Sequence, residues 1–524
     1  MSKEVNALSG LLMEHKQTVI VLDFGSQYTQ LIARRIREQK VYSEILPWDT
    51  APEQILARVP RGIVLSGGPA SSLEPGAPAV APEIVASGIP LLGICYGMQT
   101  LALALGGTVR KGERAEYGRT QVTRFGEHPL FEGVNRELSV WMSHWDQVDV
   151  VPPGTVLLAE SEGGVPAAFA TPDGRVSALQ FHPEVVHTAC GTTILANFLF
   201  KICGCLPAWD LDEWMRAIME AVRQTVKNGR VICGLSGGVD SSVAAMLVQK
   251  ALGDGLTCIF VNNGLLRLGE AEEILKAYHG LGLDVRYVDA SERFLDALTG
   301  VTEPEKKRKI IGEIFVRVFE EAAQATGGAQ WLLQGTLYPD VIESGQKGRG
   351  AAVIKTHHNV GGLPEKMSLG LLEPLRDLFK DEVRVIGRLL QLPDAILGRH
   401  PFPGPGLGVR CLGDLSRDRL EVLRQADAIF LQALRDAGLY DQIWQAFAVL
   451  LPVRSVGVVG DVRTYGETVV LRAVEAQDGM TADWARLPYE LLDCVGRRIC
   501  NGIPGVSRVV YDVTGKPPAT IEWE

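Results

Sequence analysis

Short apolar runs alternate with amphipathic stretches along most of this chain. Residues 19–22, 41–46, 62–65 and 90–94 are strand-length runs dominated by apolar residues, and 27–39 carries helical spacing between the first two. Strands alternating with helices predict a mostly parallel sheet covered on both faces. From about residue 120 the pattern shifts to segments punctuated by turns, such as 165–171 and 176–181, which predict added antiparallel strands before a closing helix at 192–200. A second alternating series follows an amphipathic stretch at 209–227, with strands expected at 231–235, 256–261, 284–289 and 330–334. The segment Pro401-Phe402-Pro403-Gly404-Pro405-Gly406-Leu407-Gly408 is too rich in proline and glycine for a regular element and predicts an interdomain hinge. Beyond it, helices at 418–437 and 484–498 and strands at 449–459, 468–474 and 506–512 predict a small α+β domain on an antiparallel sheet. The expected fold class is therefore α/β. It comprises an extension at 1–17, two doubly wound, mostly parallel-sheet domains at 18–206 and 207–403, and the small α+β domain at 404–524.

A length of 524 residues, with 46% hydrophobic and 22% charged residues, fits a multidomain globular protein. The net charge of −10 speaks against a bulk electrostatic grip on nucleic acid, and no apolar run reaches membrane-spanning length. Residues 1–16 lack the apolar core of a signal peptide. The nine cysteines include no CxxC pair, and Cys203-Gly204-Cys205 is too tight for the usual zinc spacing. Reduced thiols and a cytoplasmic location are the expectation. No zinc, flavin or nicotinamide cofactor is expected.

Chemistry concentrates at the strand ends. The stretch VICGLSGGVDSS at 231–242 runs from an expected strand through Ser236-Gly237-Gly238 into a helix opening at Val239. A strand feeding a helix through two glycines leaves N–H groups open at the positive end of the helix dipole, a receptor for phosphate or pyrophosphate. Ser236 and Ser242 offer hydroxyls, and Asp240 suits a Mg2+ that bridges phosphate oxygens. No lysine follows the glycines, so this is not a Walker A loop.

Gly93-Ile94-Cys95-Tyr96-Gly97 sets a thiol on a sharp strand-to-helix turn, where flanking glycines permit close backbone approach and the helix N-terminus favours thiolate. His182, in Gln180-Phe181-His182-Pro183-Glu184, supplies a base, with Glu184 to orient it. Gly67 and Gly68 of Ser66-Gly67-Gly68-Pro69, with the Tyr96 N–H, are candidate oxyanion donors. Taken together these predict a thiol amidohydrolase.

The Cys95, His182 and Glu184 set resembles the triad of class I glutamine amidotransferases, and the 236–242 loop resembles that of ATP-dependent adenylating ligases. Their order on one chain, with the ending Gly515-Lys516-Pro517-Pro518-Ala519-Thr520-Ile521-Glu522-Trp523-Glu524, resembles the glutamine-hydrolysing GMP synthase family from about residue 19 to 524. The resemblance implies amination of xanthosine 5'-monophosphate (XMP) to GMP through an adenylated XMP. Glutamine, ATP and XMP are the implied substrates, with Mg2+ carried on ATP. It implies ATP contacts at Ser236, Gly237, Gly238, Val239, Asp240, Ser241 and Ser242. XMP contacts fall on Arg308, Asp461, Lys516 and Glu522, and a phosphate contact in a lid falls on Lys355. A homodimer through the last domain is implied too. Lys306 and Lys307, beside Arg308, read as a solvated helix face. Val462 stands where the family pattern carries glycine, so the turn there is expected to differ. His357 and His358, adjacent on an extended segment, point to opposite faces and are not expected to ligate zinc together.

Two other readings share these motifs. A different pyrophosphate-releasing ligase, such as an NAD synthetase or a tRNA-thiolating enzyme, would use a similar loop, although the acidic balance disfavours tRNA. A non-catalytic scaffold would keep the fold without reacting at Cys95. Fusion of a hydrolase to a synthetase further predicts that glutaminase activity rises when ATP and XMP bind.

Overall fold

The computed structural model describes residues 17–345, 369–459, 461–476 and 481–524. The chain divides into two compact units, the first ending at Asp210 and the second running Leu211–Glu524.

In the first unit, β1 (Thr18–Asp23), β2 (Tyr42–Pro47), β3 (Gly62–Leu65) and β4 (Leu91–Ile94) pair in parallel. The central three, β1, β3 and β4, are apolar almost throughout because helices cover both faces, and Val19, Ile63 and Leu91 have no exposed surface. The sheet continues through β5 (Thr108–Arg124), β6 (Glu137–Val150), β7 (Val156–Ser161), β8 (Pro166–Ala170) and β9 (Val176–Leu179). Among the described residues its order is β2-β1-β3-β4-β9-β8-β7-β5-β6. The strand β9 is parallel to β4 and antiparallel to β8, so it joins the parallel half to the added half. That junction sets the ends of β4 and β9 side by side, which brings Cys95 and the segment after residue 180 to one edge.

The second unit is built first on β10 (Val231–Leu235), β11 (Leu256–Asn262), β12 (Val285–Asp289), β13 (Trp331–Leu333) and β14 (Gly370–Leu372). All pair in parallel, in the order β12-β11-β10-β13-β14. A second sheet holds β15 (Gln445–Val459), β16 (Val462–Glu475), β17 (Asp483–Trp484) and β18 (Val506–Tyr511). It is mixed rather than antiparallel, because β18 runs parallel to β16.

Three further expectations change here. The glycine- and proline-rich connector forms a buried 3-10 turn at Gly406–Val409, and Leu407 N donates to Leu265 O at 2.8 Å. A Cβ at Gly406 would stand 2.4 Å from that same oxygen, so glycine serves packing there rather than hinge freedom. Leu265, Ile311, Leu407, Phe430 and Leu450 share one core that continues across it. The helix expected from 484 begins at Tyr489, after Pro488, because the residue before a proline avoids helical geometry. Lys307 is not solvated. It lies on the buried face of the helix Pro304–Gln324 with Ile311, Ile314 and Val318, at spacings of one helix face. At the β15–β16 turn the left-handed position belongs to Asp461 (φ +65), while Val462 is extended as the first residue of β16.

Candidate active sites

The thiol site forms where β4 ends. Cys95 sits at φ +54, a left-handed conformation that non-glycine residues rarely adopt, between β4 and the helix Tyr96–Ala104. The turn demands both flanking glycines. A Cβ on Gly93 would lie 2.5 Å from Gly97 O, and one on Gly97 would lie 2.3 Å from Leu65 O. These close approaches fix the turn, and Cys95 is itself buried there rather than exposed. Its Sγ donates to Ser143 O at 3.6 Å, and the side chain lies close enough to His182 to influence its protonation.

His182 follows β9 and is buried, with Nδ1 at 2.7 Å from Glu184 Oε1. The ring is placed from several directions. The His182 main-chain N donates to Trp141 O at 3.0 Å, Thr188 Oγ1 donates to the His182 main-chain carbonyl at 2.7 Å, and Tyr28 packs edge-on against the ring at 5.0 Å between centroids. Burial opposes charge on this imidazole, but the Glu184 carboxylate and the contact with Cys95 outweigh it and hold the pKa well above the ordinary histidine value. A base that gains a proton readily beside a thiol is placed to take the thiol proton when the sulfur attacks. Gly67 and Gly68 border the same space. A Cβ on Gly67 would meet His182 Cε1 at 3.3 Å, and one on Gly68 would meet Tyr96 Cγ at 3.3 Å and Phe24 O at 2.7 Å. Burial with Asp146 and Glu74 nearby pushes the Tyr96 phenol up to about 12, so it stays neutral while its hydroxyl donates to Pro78 O at 2.6 Å.

Sequence reasoning missed the wall opposite the thiol. It is made by β6, whose Ser143 carbonyl meets Cys95 and whose Asp146 carbonyl accepts from the buried Gln99 amide at 2.7 Å. The signal available was Ser143-His144-Trp145-Asp146, a polar cluster inside a stretch of alternating strand character.

The phosphate loop forms where β10 ends. Gly237 takes φ +75 and Gly238 caps the helix Val239–Leu252. A Cβ on Gly237 would collide with Ile274 Cδ1 at 2.4 Å, and Arg399 Nη1 donates to the Gly237 carbonyl at 3.1 Å, so the turn is braced from outside. Ser236 Oγ lies 3.1 Å from Ser241 Oγ, and these two hydroxyls are at the accessible side of the loop. Ser242 differs from expectation. It is fully buried, donates to Gly238 O at 2.7 Å and lies 2.6 Å from Tyr278 Oη, so its hydroxyl shapes the loop from within.

Asp240 has one carboxylate oxygen, Oδ2, at 2.8 Å from Lys380 Nζ, while Oδ1 is buried with no hydrogen-bond partner among the described residues. An orphaned buried carboxylate oxygen is what a divalent cation would satisfy. Lys380 opens the helix Lys380–Leu389, and nothing in the local sequence marks a lysine 140 residues away as the loop's cation. Gly335 backs directly onto the loop, with a built Cβ 3.0 Å from the Asp240 carbonyl carbon, as the strand-end rule for parallel sheets expects.

The remaining candidates lie in the second unit. Arg308 Nη2 donates to the main-chain oxygen of Glu524, and Glu522 receives Arg410 at 2.8 and 3.1 Å and Gln445 Nε2 at 2.6 Å. Lys516 bridges to Ala482 through the backbone at 2.7 and 3.1 Å. Asp461 sits at the exposed turn between β15 and β16. Lys355, His357 and His358 lie outside the described residues.

Comparison with known proteins ties these sites together. Residues 20–202 match the class I glutamine amidotransferase model, 211–288 the NAD synthase model, and 432–523 the GMP synthase C terminal domain model. A protein named GMP synthase (glutamine-hydrolyzing) from Aquifex aeolicus is 55% identical over 509 residues, covering 97% of this chain and 100% of that one. The chain belongs to the glutamine-hydrolyzing GMP synthase family. The Symbiobacterium thermophilum protein of the same name is also 55% identical, over 98% of this chain and 100% of its own length. In this GMP synthase family member the thiol triad lies inside the segment matching the amidotransferase model, and the phosphate loop inside the segment matching the NAD synthase model. No helix among the described residues is long and apolar enough to cross a membrane.

Proposed function

We propose that this chain aminates XMP to GMP, using ATP to activate the purine and glutamine as the source of ammonia. The observation that carries the reading is near-full-length identity to the family, on a chain that holds a thiol amidohydrolase site and a separate pyrophosphate loop. The Cys95 thiolate attacks the side-chain amide carbon of glutamine. His182 delivers a proton to the departing ammonia, Glu184 holds the imidazole, and the N–H groups around Gly67, Gly68 and Tyr96 receive the oxyanion. Water then releases glutamate from the thioester.

In the second unit, Ser236, Gly237, Gly238, Val239 and Ser241 cradle the β,γ-pyrophosphate of ATP, with Ser242 holding the loop's shape. Asp240 would hold Mg2+ with its free oxygen, and the cation supplies charge neutralisation on the phosphates. The C2 oxygen of XMP attacks the α-phosphorus, pyrophosphate leaves, and ammonia then displaces AMP from C2. Adenylation is needed because a purine carbonyl oxygen is a poor leaving group and a phosphate monoester is a good one. Arg308, Asp461, Lys516 and Glu522 contact XMP, and Lys355 contacts phosphate.

Residues 18–206, 207–403 and 404–524 serve as amidotransferase, synthetase and dimerisation domains in the cytoplasm. The dimer reading is supported by the exposed apolar side chains Val456, Val458, Val462 and Tyr465 on the β15–β16 hairpin.

The test is conversion of XMP with glutamine and ATP, measuring AMP and pyrophosphate beside GMP in equal amounts. ADP and orthophosphate instead would refute the assignment. Use of nicotinate adenine dinucleotide in place of XMP would move it to the NAD synthetase reading. Glutaminase rates that stay equal with and without ATP and XMP would remove the coupling.

A further inference from the structure

We propose that Lys307 and Glu524 form a clasp that seats residues 514–524 at the nucleotide monophosphate site, which makes both of them positioning residues for XMP. The proposal rests on the reading of Arg308 and Glu522 as XMP contacts. Lys307 is completely buried, and its Nζ has three acceptors: Cys411 O at 2.8 Å, Gly408 O at 3.4 Å and Glu524 Oε2 at 2.8 Å. An ammonium has three N–H groups, so every one is used within the protein. Desolvating a lysine is costly unless its charge is paired and its donors are satisfied. Spending all three on carbonyls and one carboxylate leaves nothing for substrate, and this fits a role in holding structure around the site.

The segment it holds is gripped twice more by fully buried cations. Arg410 makes a two-pronged contact with Glu522. Arg472 donates to the main-chain oxygens of Thr514 at 2.9 Å, Thr520 at 3.0 Å and Ile521 at 2.9 Å, and pairs with Asp512 at 2.8 Å. Lys307 and Arg308 are neighbours on one helix and hold Glu524 in two ways, by its carboxylate and by its main chain. Arg308 Nε is buried without a hydrogen-bond partner among the described residues and pairs only loosely with Glu305 Oε1 at 3.8 Å, so a phosphate could compete for this guanidinium. When Arg308 turns to the phosphate of XMP, Lys307 alone retains Glu524, and the segment carrying Glu522 stays in register.

The experiment measures steady-state kinetics of the full chain with ammonium salt as nitrogen source, comparing wild type with Glu524→Gln, Lys307→Met, Lys307→Arg and the Lys307→Met/Glu524→Gln double variant. The expected result is a rise in the KM for XMP of roughly tenfold or more in each Met and Gln variant, the scale for truncating one member of a buried charge pair. The KM for ATP and the basal rate of glutamine hydrolysis, measured without ATP and XMP, stay at wild-type values, Lys307→Arg recovers part of the loss, and the double variant is no worse than Lys307→Met. If Lys307→Met does not fold, Glu524→Gln decides. An unchanged KM for XMP in folded Glu524→Gln overturns the clasp, as does an equal rise for ATP and XMP, which would mark a merely structural pair. Glu522→Gln and Arg308→Ala separate the two levels. If they too leave the KM for XMP unchanged, the XMP reading itself is wrong, whereas a rise in them alone removes only the clasp.

Discussion

The two sites are built to different standards of completeness. At the thiol site the base is already set: His182 meets Glu184 at 2.7 Å, and Trp141 O and Thr188 Oγ1 hold its main chain, although Glu184 Oε2 is buried without a hydrogen-bond partner among the described residues. At the phosphate loop the frame is braced, but its charged groups are waiting. Asp240 is half-satisfied by Lys380, and its other oxygen is buried without a partner. The difference follows from what each must bind. Amide hydrolysis needs a nucleophile and base poised before a neutral substrate arrives, whereas a polyphosphate brings its own charge and cation to complete the site.

The sharpest way to break this contrast is to remove the nucleophile. Cys95→Ala should lower glutamine-dependent GMP formation by roughly 10^4-fold or more, the scale for deleting a member of a catalytic triad. Ammonia-dependent synthesis, measured in the same preparation with ammonium salt, should persist. Loss of both would mean that the two sites are not separate. Asp240→Asn tests the other side. Synthesis from either nitrogen source should fall by about 10^2-fold or more while basal glutamine hydrolysis holds, because a carboxamide cannot bind the cation as a carboxylate does. Wild-type synthesis in that variant would leave the orphaned oxygen without a role.

The glycines sharpen the comparison at the level of packing. Gly97→Ala pushes a methyl into the β3 backbone at 2.3 Å from Leu65 O, and backbone there cannot move without disturbing the sheet. A destabilisation of about 1–3 kcal/mol or more is expected, read as a lowered melting temperature. Gly238→Ala meets only Ser236 Oγ at 3.2 Å, within a loop that faces open space. It should fold normally and weaken ATP binding, so equal stability losses in the two variants would erase the distinction between a packed elbow and an open cradle.

What could be read from sequence followed the same division. The strand-end motifs were legible because a parallel sheet forces its connections, and hence its chemistry, to the carboxyl ends of its strands. Cys95, His182 and the 236–242 loop all announce themselves by glycine and polar residues interrupting apolar runs. The partners were not legible, since Lys380 reaches Asp240, and Lys307 reaches Glu524, only through tertiary packing. Lys307 misled for a definite reason. The run Glu303-Pro304-Glu305-Lys306-Lys307-Arg308-Lys309 looks uniformly polar, yet a helix turns one of its lysines inward every third or fourth residue, and Lys307 falls in line with Ile311 and Ile314. The proline- and glycine-rich connector misled in the opposite sense, because close packing against Leu265 requires the same residues that a flexible hinge would.

The mildest test concerns protons. Burial disfavours the charged form of His182, but Glu184 and Cys95 more than compensate, so its folded pKa lies well above the unfolded value of about 6.5. The folded chain therefore keeps a proton that the unfolded chain gives up. The stability this contributes is fully present below the unfolded pKa and is lost as pH rises through the folded one. Calorimetry of the full chain between about pH 6 and pH 10 should show the transition of the amidotransferase unit moving to lower temperature as pH rises. Glu184→Gln removes the charge that holds the proton, so its transition should start lower and move less over the same range. Equal slopes in the two proteins would mean that the imidazolium is not held by Glu184.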